Sequence, residues 1–337
     1  MGYSIKENAY AVLLPAFDGL KLSDGCKRYL DHGGLSILLG ESRAEYVARG
    51  MTADRRATER TEDFLRITSD ARARAGDILV AVDQEPGGIC RLHDLVPAYP
   101  EIEAFVAMPD AEIEARAAAV GRSAAELGVN VFLAPILDTL IGPNPWLQGR
   151  TVSSDAAVVA RFSAAFVRGL RQAGIRSVAK HFPGYPQCAL DPAIHSDAQV
   201  ETSLDRLQAG LQPFEAVIAE GVDAMMVGPA IVAAYDPDLP ALRSERVIKH
   251  LTGTMGFRGL VMADDLDSAA TLRGNRLEQV AVQALNSGCD WLLLADIDDH
   301  LDLVARAIVE AVHQKHLGEE QLARSAAKLR SRLKSKP

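Results

Sequence analysis

The chain is organised around Gly174-Ile175-Arg176-Ser177-Val178-Ala179-Lys180-His181-Phe182-Pro183-Gly184, a short, largely apolar run that ends in a lysine and a histidine. The run as far as Ala179 predicts a buried strand, so Lys180 and His181 emerge where that strand ends. Pro183 and Gly184 stop regular structure, and the residues after them must form a loop. Burying a lysine costs free energy unless it has a partner or a task. The stretch therefore predicts either a salt-bridged lysine at a strand end or a functional site there.

Seven similar β-branched or leucine-rich runs recur along the chain, and longer helical patterns separate them. The eight predicted strands cover residues 9–14, 35–39, 77–82, 129–134, 175–180, 222–227, 259–263 and 290–294. Apolar strands that alternate with helices imply a parallel sheet covered on both faces. Eight such units favour closure into an α/β fold of the (β/α)8 TIM-barrel type, and a doubly wound open sheet is the alternative.

Helical patterns fill the segments between the predicted strands, and most of them end near a glycine that can cap the helix. They cover residues 110–127, 154–173, 203–220, 275–287, 302–313 and 319–333, while the charged stretch 43–75 predicts one broken helix or two. No Pro/Ser-rich linker, repeat or low-complexity tract separates a second domain. Since barrels commonly run to about 250 residues or more, residues 1–337 are predicted to form a single catalytic barrel domain.

The charge balance excludes several classes of partner. The 36 Lys and Arg residues are dispersed among 45 Asp and Glu residues, for a net charge of −9. Nucleic acid and anionic membranes are therefore poor partners. No segment reaches the roughly 18 apolar residues that a membrane helix needs. The four cysteines are far apart and predict reduced thiols in a cytoplasmic protein.

Polar side chains follow several of the predicted strands, where a barrel places its active site. Any one of them could be a helix cap or a structural ion pair, but several on one rim favour a site. Charged groups of this kind suit the hydroxyls of a sugar, and a carboxylate can stabilise or attack an oxocarbenium-like centre. The set comprises Asp83, Gln84, Glu85, Arg91, Asp138, Lys180, His181, Asp264 and Asp265.

Motifs in the same order along the chain resemble glycoside hydrolase family 3, and within it the single-domain bacterial β-N-acetylglucosaminidases. The resemblance spans roughly residues 9 to 295, and the Lys-His-Phe-Pro-Gly element is specific. The motifs are Asp83-Gln84-Glu85-Pro86-Gly87-Gly88-Ile89-Cys90-Arg91-Leu92, Ala134-Pro135-Ile136-Leu137-Asp138, Gly149-Arg150-Thr151, Lys180-His181-Phe182-Pro183-Gly184, Asp236-Pro237-Asp238-Leu239-Pro240-Ala241 and Gly256-Phe257-Arg258-Gly259-Leu260-Val261-Met262-Ala263-Asp264-Asp265-Leu266.

The resemblance implies a role for each matching residue. Asp264 matches the nucleophile, which would attack the anomeric carbon and form a covalent glycosyl-enzyme. The residues that match those gripping the sugar hydroxyls are Asp83, Arg91, Arg150, Lys180 and His181. For Asp265, beside the nucleophile, we favour a loop hydrogen-bond acceptor. The reaction so implied needs no cofactor.

The proton donor is where the match fails. In the acetylglucosaminidases the loop after the Lys-His-Phe-Pro-Gly element carries an Asp-Ser-His dyad, whereas here Asp191 is followed by proline and alanine. His195 is the nearest histidine, and we favour it as acid/base, paired with Asp191 or with Asp197. The ordinary pKa of histidine suits both halves of a double displacement. Tyr185 and Pro229 also replace family histidines and are expected to remodel the sugar pocket.

The residues leave several functions open. The first is a retaining exo-β-glycosidase acting on a terminal N-acetylglucosamine-like amino sugar of a small or oligosaccharide glycoside. A phosphorylase of the same family is a close relative, and a degenerate glycosidase that only binds sugar is the non-catalytic alternative. A Schiff-base aldolase using Lys180 is permitted by position but disfavoured by the other motifs. No metal site is indicated, because the eight histidines are scattered, and the oligomeric state is not predicted.

Overall fold

The computed structural model describes residues 2–295 and 300–334. Eight parallel strands close into a barrel, and the predicted (β/α)8 barrel is confirmed. Its strands are β1 (Leu13–Phe17), β2 (Ser36–Leu39), β3 (Leu79–Val82), β4 (Val131–Phe132), β5 (Arg176–Phe182), β7 (Ala224–Val227), β9 (Leu260–Ala263) and β10 (Trp291–Leu294), while β6 (Gln199–Val200) and β8 (Ile231–Val232) pair outside the barrel. The order around the barrel is β1-β10-β9-β7-β5-β4-β3-β2, with β2 paired to β1.

The first strand lies later than predicted. Residues 9–14 were expected to be a strand, but a helix, α1 (Ile5–Ala11), occupies the first half of that run, and β1 starts at Leu13. Ser4 and Glu7 explain the difference, because they form a capping box. The Ser4 hydroxyl accepts the Glu7 N–H, and the Glu7 carboxylate accepts the Ser4 N–H at 2.8 Å. These two bonds satisfy donors that a helix start leaves unpaired.

Helices cover the outside of the barrel, and two predicted segments divide more finely than expected. The charged stretch 43–75 forms three helices, and the segment 203–220 forms two. The helices after α1 are α2 (Asp24–Asp31), α3 (Arg43–Ala48), α4 (Ala53–Thr58), α5 (Thr61–Ala75), α6 (Ile102–Ala107), α7 (Asp110–Glu126), α8 (Ala156–Gln172), α9 (Leu204–Ala209), α10 (Gln212–Ala219), α11 (Glu245–Lys249), α12 (Ala269–Leu272), α13 (Leu277–Ser287), α14 (Leu301–His313) and α15 (Glu319–Lys334).

Glycines set the spacing between helix and strand. Gly128, Gly174, Gly221 and Gly288 each precede a barrel strand and have φ values of 84°, 75°, 76° and 114°. Residues other than glycine rarely adopt this left-handed backbone conformation. Glycine at these points therefore lets the chain reverse sharply from helix to strand. All eight barrel strands run parallel, so their carboxyl ends meet at one rim.

The core fills the barrel and the layer between barrel and helices. Every residue of β2, β3, β5, β7, β9 and β10 is buried, as expected for strands covered on both faces. Among the helices of the described residues, none combines the length and the apolar character needed to cross a membrane.

Candidate active site

A cavity of about 350 Å³ opens at the carboxyl ends of the barrel strands. Its volume is in the range of small-molecule sites. Five of the eight predicted site residues line it together: Asp83, Arg150, Lys180, His181 and Asp264. The wall also contains polar groups that were not predicted as site residues, among them Glu41, Tyr46, Trp146 and Asp265.

Lys180 is held by two carboxylates at the end of β5. Its side chain is 3% exposed, and Nζ lies 2.6 Å from Asp83 Oδ1 and 2.6 Å from Glu85 Oε1. Burial disfavours the ammonium, but the charges of Asp83 and Glu85 outweigh burial and raise the pKa of Lys180. The lysine is therefore a fixed positive charge on the cavity wall, which argues against a Schiff-base role because that chemistry needs a neutral amine.

Glu85 joins Lys180 to Arg150. The Arg150 guanidinium donates from Nη2 to Glu85 Oε1 at 2.6 Å and from Nε to Oε2 at 3.1 Å. Burial would raise the pKa of Glu85, but the charges of Arg150 and Lys180 hold it well below its usual range. Arg150 also donates to the Tyr46 hydroxyl at 3.1 Å. Glu85 was noted in the sequence as a strand-end residue, and in the structure its carboxylate bridges Lys180 and Arg150.

His181 is oriented by Asp138, which follows β4. The ring Nδ1 and the backbone N–H of His181 both contact Asp138 Oδ2, at 2.9 and 3.0 Å, and Trp146 packs against the ring at a centroid distance of 4.4 Å. Because a carboxylate only accepts hydrogen bonds, Nδ1 carries the proton toward Asp138. The other nitrogen, Nε2, is left facing Asp264 Oδ2 at 4.0 Å.

Asp264 directly follows β9, and the residue is 7% exposed. Its Oδ1 accepts the Asp265 N–H at 2.8 Å. Its Oδ2 is buried, and within residues 2–295 and 300–334 no group hydrogen-bonds to it. A buried carboxylate oxygen without a donor is costly unless a ligand or a reaction uses it. The arrangement leaves one oxygen of Asp264 available to a molecule in the cavity.

Arg91 lies behind the cavity wall. Its side chain is fully buried, and Nη1 and Nη2 each donate to a Glu59 carboxylate oxygen at 2.8 Å, while Nε donates to the Gly40 carbonyl at 2.5 Å. Its guanidinium is thus directed to protein groups, and Arg91 is not among the residues that line the cavity. The sugar-binding role of Arg91 stays a prediction. Glu59, its partner, lies in the charged stretch 43–75 and was not predicted.

The loop with Asp191 and His195 lies outside the cavity wall. His195 is exposed, and neither residue lines the cavity. The Asp191 carboxylate accepts the N–H of Ala193 at 2.9 Å, so it caps its own loop. The carbonyls of Pro192 and Ala193 accept the N–H groups of Ala270 and Ala269, which docks the loop on the start of α12. The acid/base roles of both residues stay predictions.

Tyr185 and Pro229 replace family histidines, and their expected effect on the sugar pocket stays a prediction. Tyr185 is fully buried and donates to the Ala230 carbonyl at 3.3 Å. Its ring packs edge-on against Trp146 and His181, at centroid distances of 5.4 and 6.5 Å. Neither Tyr185 nor Pro229 lines the cavity. Tyr185 therefore supports the back of His181 rather than forming the sugar-facing wall.

Three carboxyl groups that line the cavity have raised pKa values. Burial, followed by the charges of Asp83 and Glu85, raises the pKa of Glu41 to about 8. Burial also raises the pKa of Asp83 despite its bond to Lys180. The pKa of Asp265 lies well above its usual range, through burial and the neighbouring Asp264. Burial is the largest cause of all three shifts. In the described part of the chain, no three His, Cys, Asp or Glu side chains are placed to hold a metal ion.

Comparison with known proteins agrees with this geometry. Residues 37–331 match the model described as the glycosyl hydrolase family 3 N terminal domain. A β-hexosaminidase of Xanthomonas oryzae pv. oryzae is 34% identical over 254 residues, which covers 73% of this chain and 74% of the relative.

Two solved structures extend the comparison. A glycoside hydrolase family 3 β-N-acetylglucosaminidase from Paenibacillus sp. str. FPU-7 superposes with a TM-score of 0.88 at 27% identity, covering 99% of this chain. This chain spans 62% of that enzyme. A β-N-acetylhexosaminidase from Beutenbergia cavernae shares the fold over 98% of both chains, with a TM-score of 0.83 at 23% identity.

Proposed function

Since the chain belongs to glycoside hydrolase family 3 and is a glycoside hydrolase, we propose that it removes a terminal N-acetylglucosamine-like amino sugar from a glycoconjugate with retention of configuration. The observation that carries the proposal is the buried, unpartnered Oδ2 of Asp264 in a cavity lined by Asp83, Lys180 and Arg150. Fixed carboxylate, ammonium and guanidinium groups bind sugar hydroxyls directionally.

In the first step, Asp264 Oδ2 attacks the anomeric carbon while the bond to the leaving oxygen breaks. The departing oxygen takes a proton from an acid, and a covalent glycosyl-enzyme results. In the second step, water attacks the same carbon, gives its proton to the conjugate base, and releases Asp264. His181 Nε2, at 4.0 Å from Oδ2, can orient the carboxylate, and Asp138 holds the ring for that purpose.

We assign the proton transfers to His195, with Asp191 as its orienting partner. A histidine suits both transfers near neutral pH because its ordinary pKa lies there. His195 is exposed on the loop docked on α12, so its action requires the loop to move toward the cavity. Such a movement would break the two backbone hydrogen bonds to Ala269 and Ala270, at 3.3 and 3.0 Å, and the bond that Arg273 Nη1 donates to the Ser196 carbonyl at 2.6 Å.

A second candidate function is sugar binding without turnover, and the exposed position of His195 favours it. A protein of this kind would keep the ion network and Asp264 but lack a proton donor. Phosphorolysis is a third outcome, and sugar 1-phosphate formed in phosphate buffer would identify it. A single-domain organisation over 1–337, a cytoplasmic location and the absence of nucleic-acid and membrane partners stay predictions.

The test is release of 4-nitrophenol from its β-N-acetylglucosaminide, in the first turnover and at steady state. Asp264→Ala is expected to lose activity by on the order of 10³-fold or more, because the nucleophile is gone. His195→Ala is expected to slow deglycosylation more than the first step, since 4-nitrophenolate leaves with little protonation. Asp18→Asn, which removes a carboxylate from the exposed mouth of the same cavity, is the matched control.

Each alternative gives a different result in the same assay. Full activity in Asp264→Ala would rule out the assigned nucleophile. A wild-type protein that binds N-acetylglucosamine by calorimetry but releases no nitrophenol in the first turnover would be a binding protein. An unimpaired His195→Ala variant would remove the assigned acid/base while leaving the nucleophile assignment intact.

A further inference from the structure

We propose that Glu41 is a specificity residue that binds a protonated amino group of the glycone, at the end of the sugar remote from the cleaved bond. The enzyme would therefore prefer an amino sugar with a free amine at that end over its hydroxyl counterpart. This inference rests on the proposed function, because it names the substrate class that the same cavity takes.

The barrel order places Glu41 across the cavity from the nucleophile. Asp264 directly follows β9, and Asp83 directly follows β3. In the closed order these two strands are four positions apart among eight, so they lie on opposite sides of the rim. Glu41 comes two residues after β2, which neighbours β3. A sugar with its anomeric carbon at Asp264 must therefore direct its far end toward Glu41 and Asp83.

Glu41 lacks a partner within the protein as described. Its Oε2 is buried, and no group in residues 2–295 and 300–334 hydrogen-bonds to it. The buried Oδ2 of Asp264 on the opposite wall is unpartnered in the same sense. Two carboxyl oxygens without a hydrogen-bond partner thus belong to residues that line the same cavity of about 350 Å³, one on each side of the barrel rim. Such groups are rare in folded proteins and indicate that a ligand completes them.

The nearby cations are already engaged with other carboxylates. Lys180 is shared by Asp83 and Glu85. Arg150 is bidentate on Glu85, and Arg91 is bidentate on Glu59. Arg43, which also lines the cavity, is exposed at its mouth. The charged groups that face Glu41 therefore bring two carboxylates and no uncommitted buried cation. Burial first, and then the charges of Asp83 and Glu85, raise the pKa of Glu41 to about 8.

A sugar ammonium fits this gap better than a hydroxyl does. An ammonium has three donors and no acceptor, so it can donate to Glu41 Oε2 and to Asp83 at once. A hydroxyl brings one donor and supplies no charge. Because the pKa of the Glu41 carboxyl is raised to about 8, formation of an ion pair with the ammonium near neutral pH should release a proton to the buffer. The two ligand classes therefore differ in affinity and in proton release.

The experiment is calorimetric titration of the whole chain with N-acetylglucosamine and with its 4-amino-4-deoxy and 6-amino-6-deoxy derivatives, in two buffers of different ionisation enthalpy. At least one amino derivative is expected to bind wild type about tenfold or more tightly than N-acetylglucosamine, as for a hydrogen bond between charged groups. It should release a proton on binding. Glu41→Gln, which keeps the shape of the side chain, should lose both the preference and the proton release, and Asp18→Asn should keep them.

The inference is overturned if neither amino derivative binds more tightly than N-acetylglucosamine, or if Glu41→Gln retains the preference. Circular dichroism of each variant separates loss of preference from loss of fold. The result is independent of the nitrophenol assay. An absent preference with Asp264-dependent turnover defeats only the role of Glu41, whereas a Glu41-dependent preference without turnover supports that role and defeats the proposed hydrolysis.

Discussion

Two sets of carboxylates at the same rim of the barrel have opposite properties. Behind the cavity, Glu59 has its pKa lowered to about 2, and that of Glu85 lies below its usual range. On the cavity wall, Glu41, Asp83 and Asp265 all have raised pKa values. Burial alone does not explain the difference, because the Glu85 side chain, whose pKa is lowered, is 0% exposed, whereas the cavity-wall residues, whose pKa values are raised, are half-buried. The difference lies in their guanidinium partners.

The two carboxylates behind the cavity, Glu59 and Glu85, are called the scaffold carboxylates, and each is paired to arginine within the protein. Glu59 receives Arg91 and Arg55, and Glu85 receives Arg150. Bidentate guanidinium bonds offset the cost of burying the charge. The cavity carboxyls have at most a shared lysine, so the protein leaves them electrostatically incomplete. A carboxyl group therefore serves as scaffold when the protein itself supplies a paired cation, and as a binding group when the protein supplies none.

The largest loss of stability is expected when Arg150, the arginine partner of Glu85, is replaced by alanine. Arg150→Ala leaves the buried Glu85 carboxylate with Lys180 as its remaining cation, and Lys180 also serves Asp83. Removing one partner of a buried ion pair costs about 3–5 kcal/mol, because the other charge is left uncompensated. The free energy of unfolding in urea should fall by that amount, and sugar binding should weaken with it.

Arg150→Lys is the matched control, since it keeps the charge but cannot make two parallel bonds to Glu85. Its loss of stability should be clearly smaller than that of Arg150→Ala. A loss of less than about 1 kcal/mol in Arg150→Ala would mean that the pair contributes little, as exposed ion pairs do. Pairing with arginine would then not explain why the scaffold carboxylates differ from the cavity carboxyls.

Replacing Arg91 is expected to have a smaller effect on stability, but it separates two roles. The sequence predicts that Arg91 binds sugar, whereas in the structure it pairs with the scaffold carboxylate Glu59. Arg91→Lys loses the two bonds to Glu59, and hydrogen bonds to charged groups contribute about 1.5–3 kcal/mol. We expect stability to fall by that amount while KM for the nitrophenyl glycoside changes less than about twofold. A large rise in KM with stability unchanged would instead support the sugar-binding role.

The fold was largely predictable because it follows from repeated patterns. Apolar runs such as 222–227 and 259–263, each reached through a glycine or a short turn after a helix, specify buried parallel strands wherever they occur. The error at 9–14 arose because the apolar run alone predicts a strand, whereas the capping box of Ser4 and Glu7 starts a helix in front of it. A sequence search for Ser-x-x-Glu would have found that start.

The site was predictable where a residue directly follows a strand and not where its partner comes from elsewhere. Asp83, Lys180 and Asp264 reach the cavity because strand direction alone carries them there. Arg91 turns to Glu59, 32 positions away, and no local pattern indicates that choice. The loop of His195 docks on a distant helix for the same kind of reason. Glu41 was missed although it comes two residues after β2, so attention to every strand end would have found it.

The smallest expected effect is a dependence of stability on pH that isolates Glu41. Its pKa in the folded protein is about 8, above the ordinary value of 4.5, so folding favours the protonated form. Stability contributed by that form is complete below pH 4.5 and is lost as pH rises toward 8. Glu41→Gln cannot ionise, so its melting temperature should rise relative to that of wild type as the pH increases from 5 to 8. Asp18→Asn, at the exposed mouth of the same cavity, should show no such gain. If the melting temperatures of wild type and Glu41→Gln instead change equally with pH across this range, Glu41 ionises without loss of stability. The cavity carboxyls would then differ from the scaffold carboxylates in position alone.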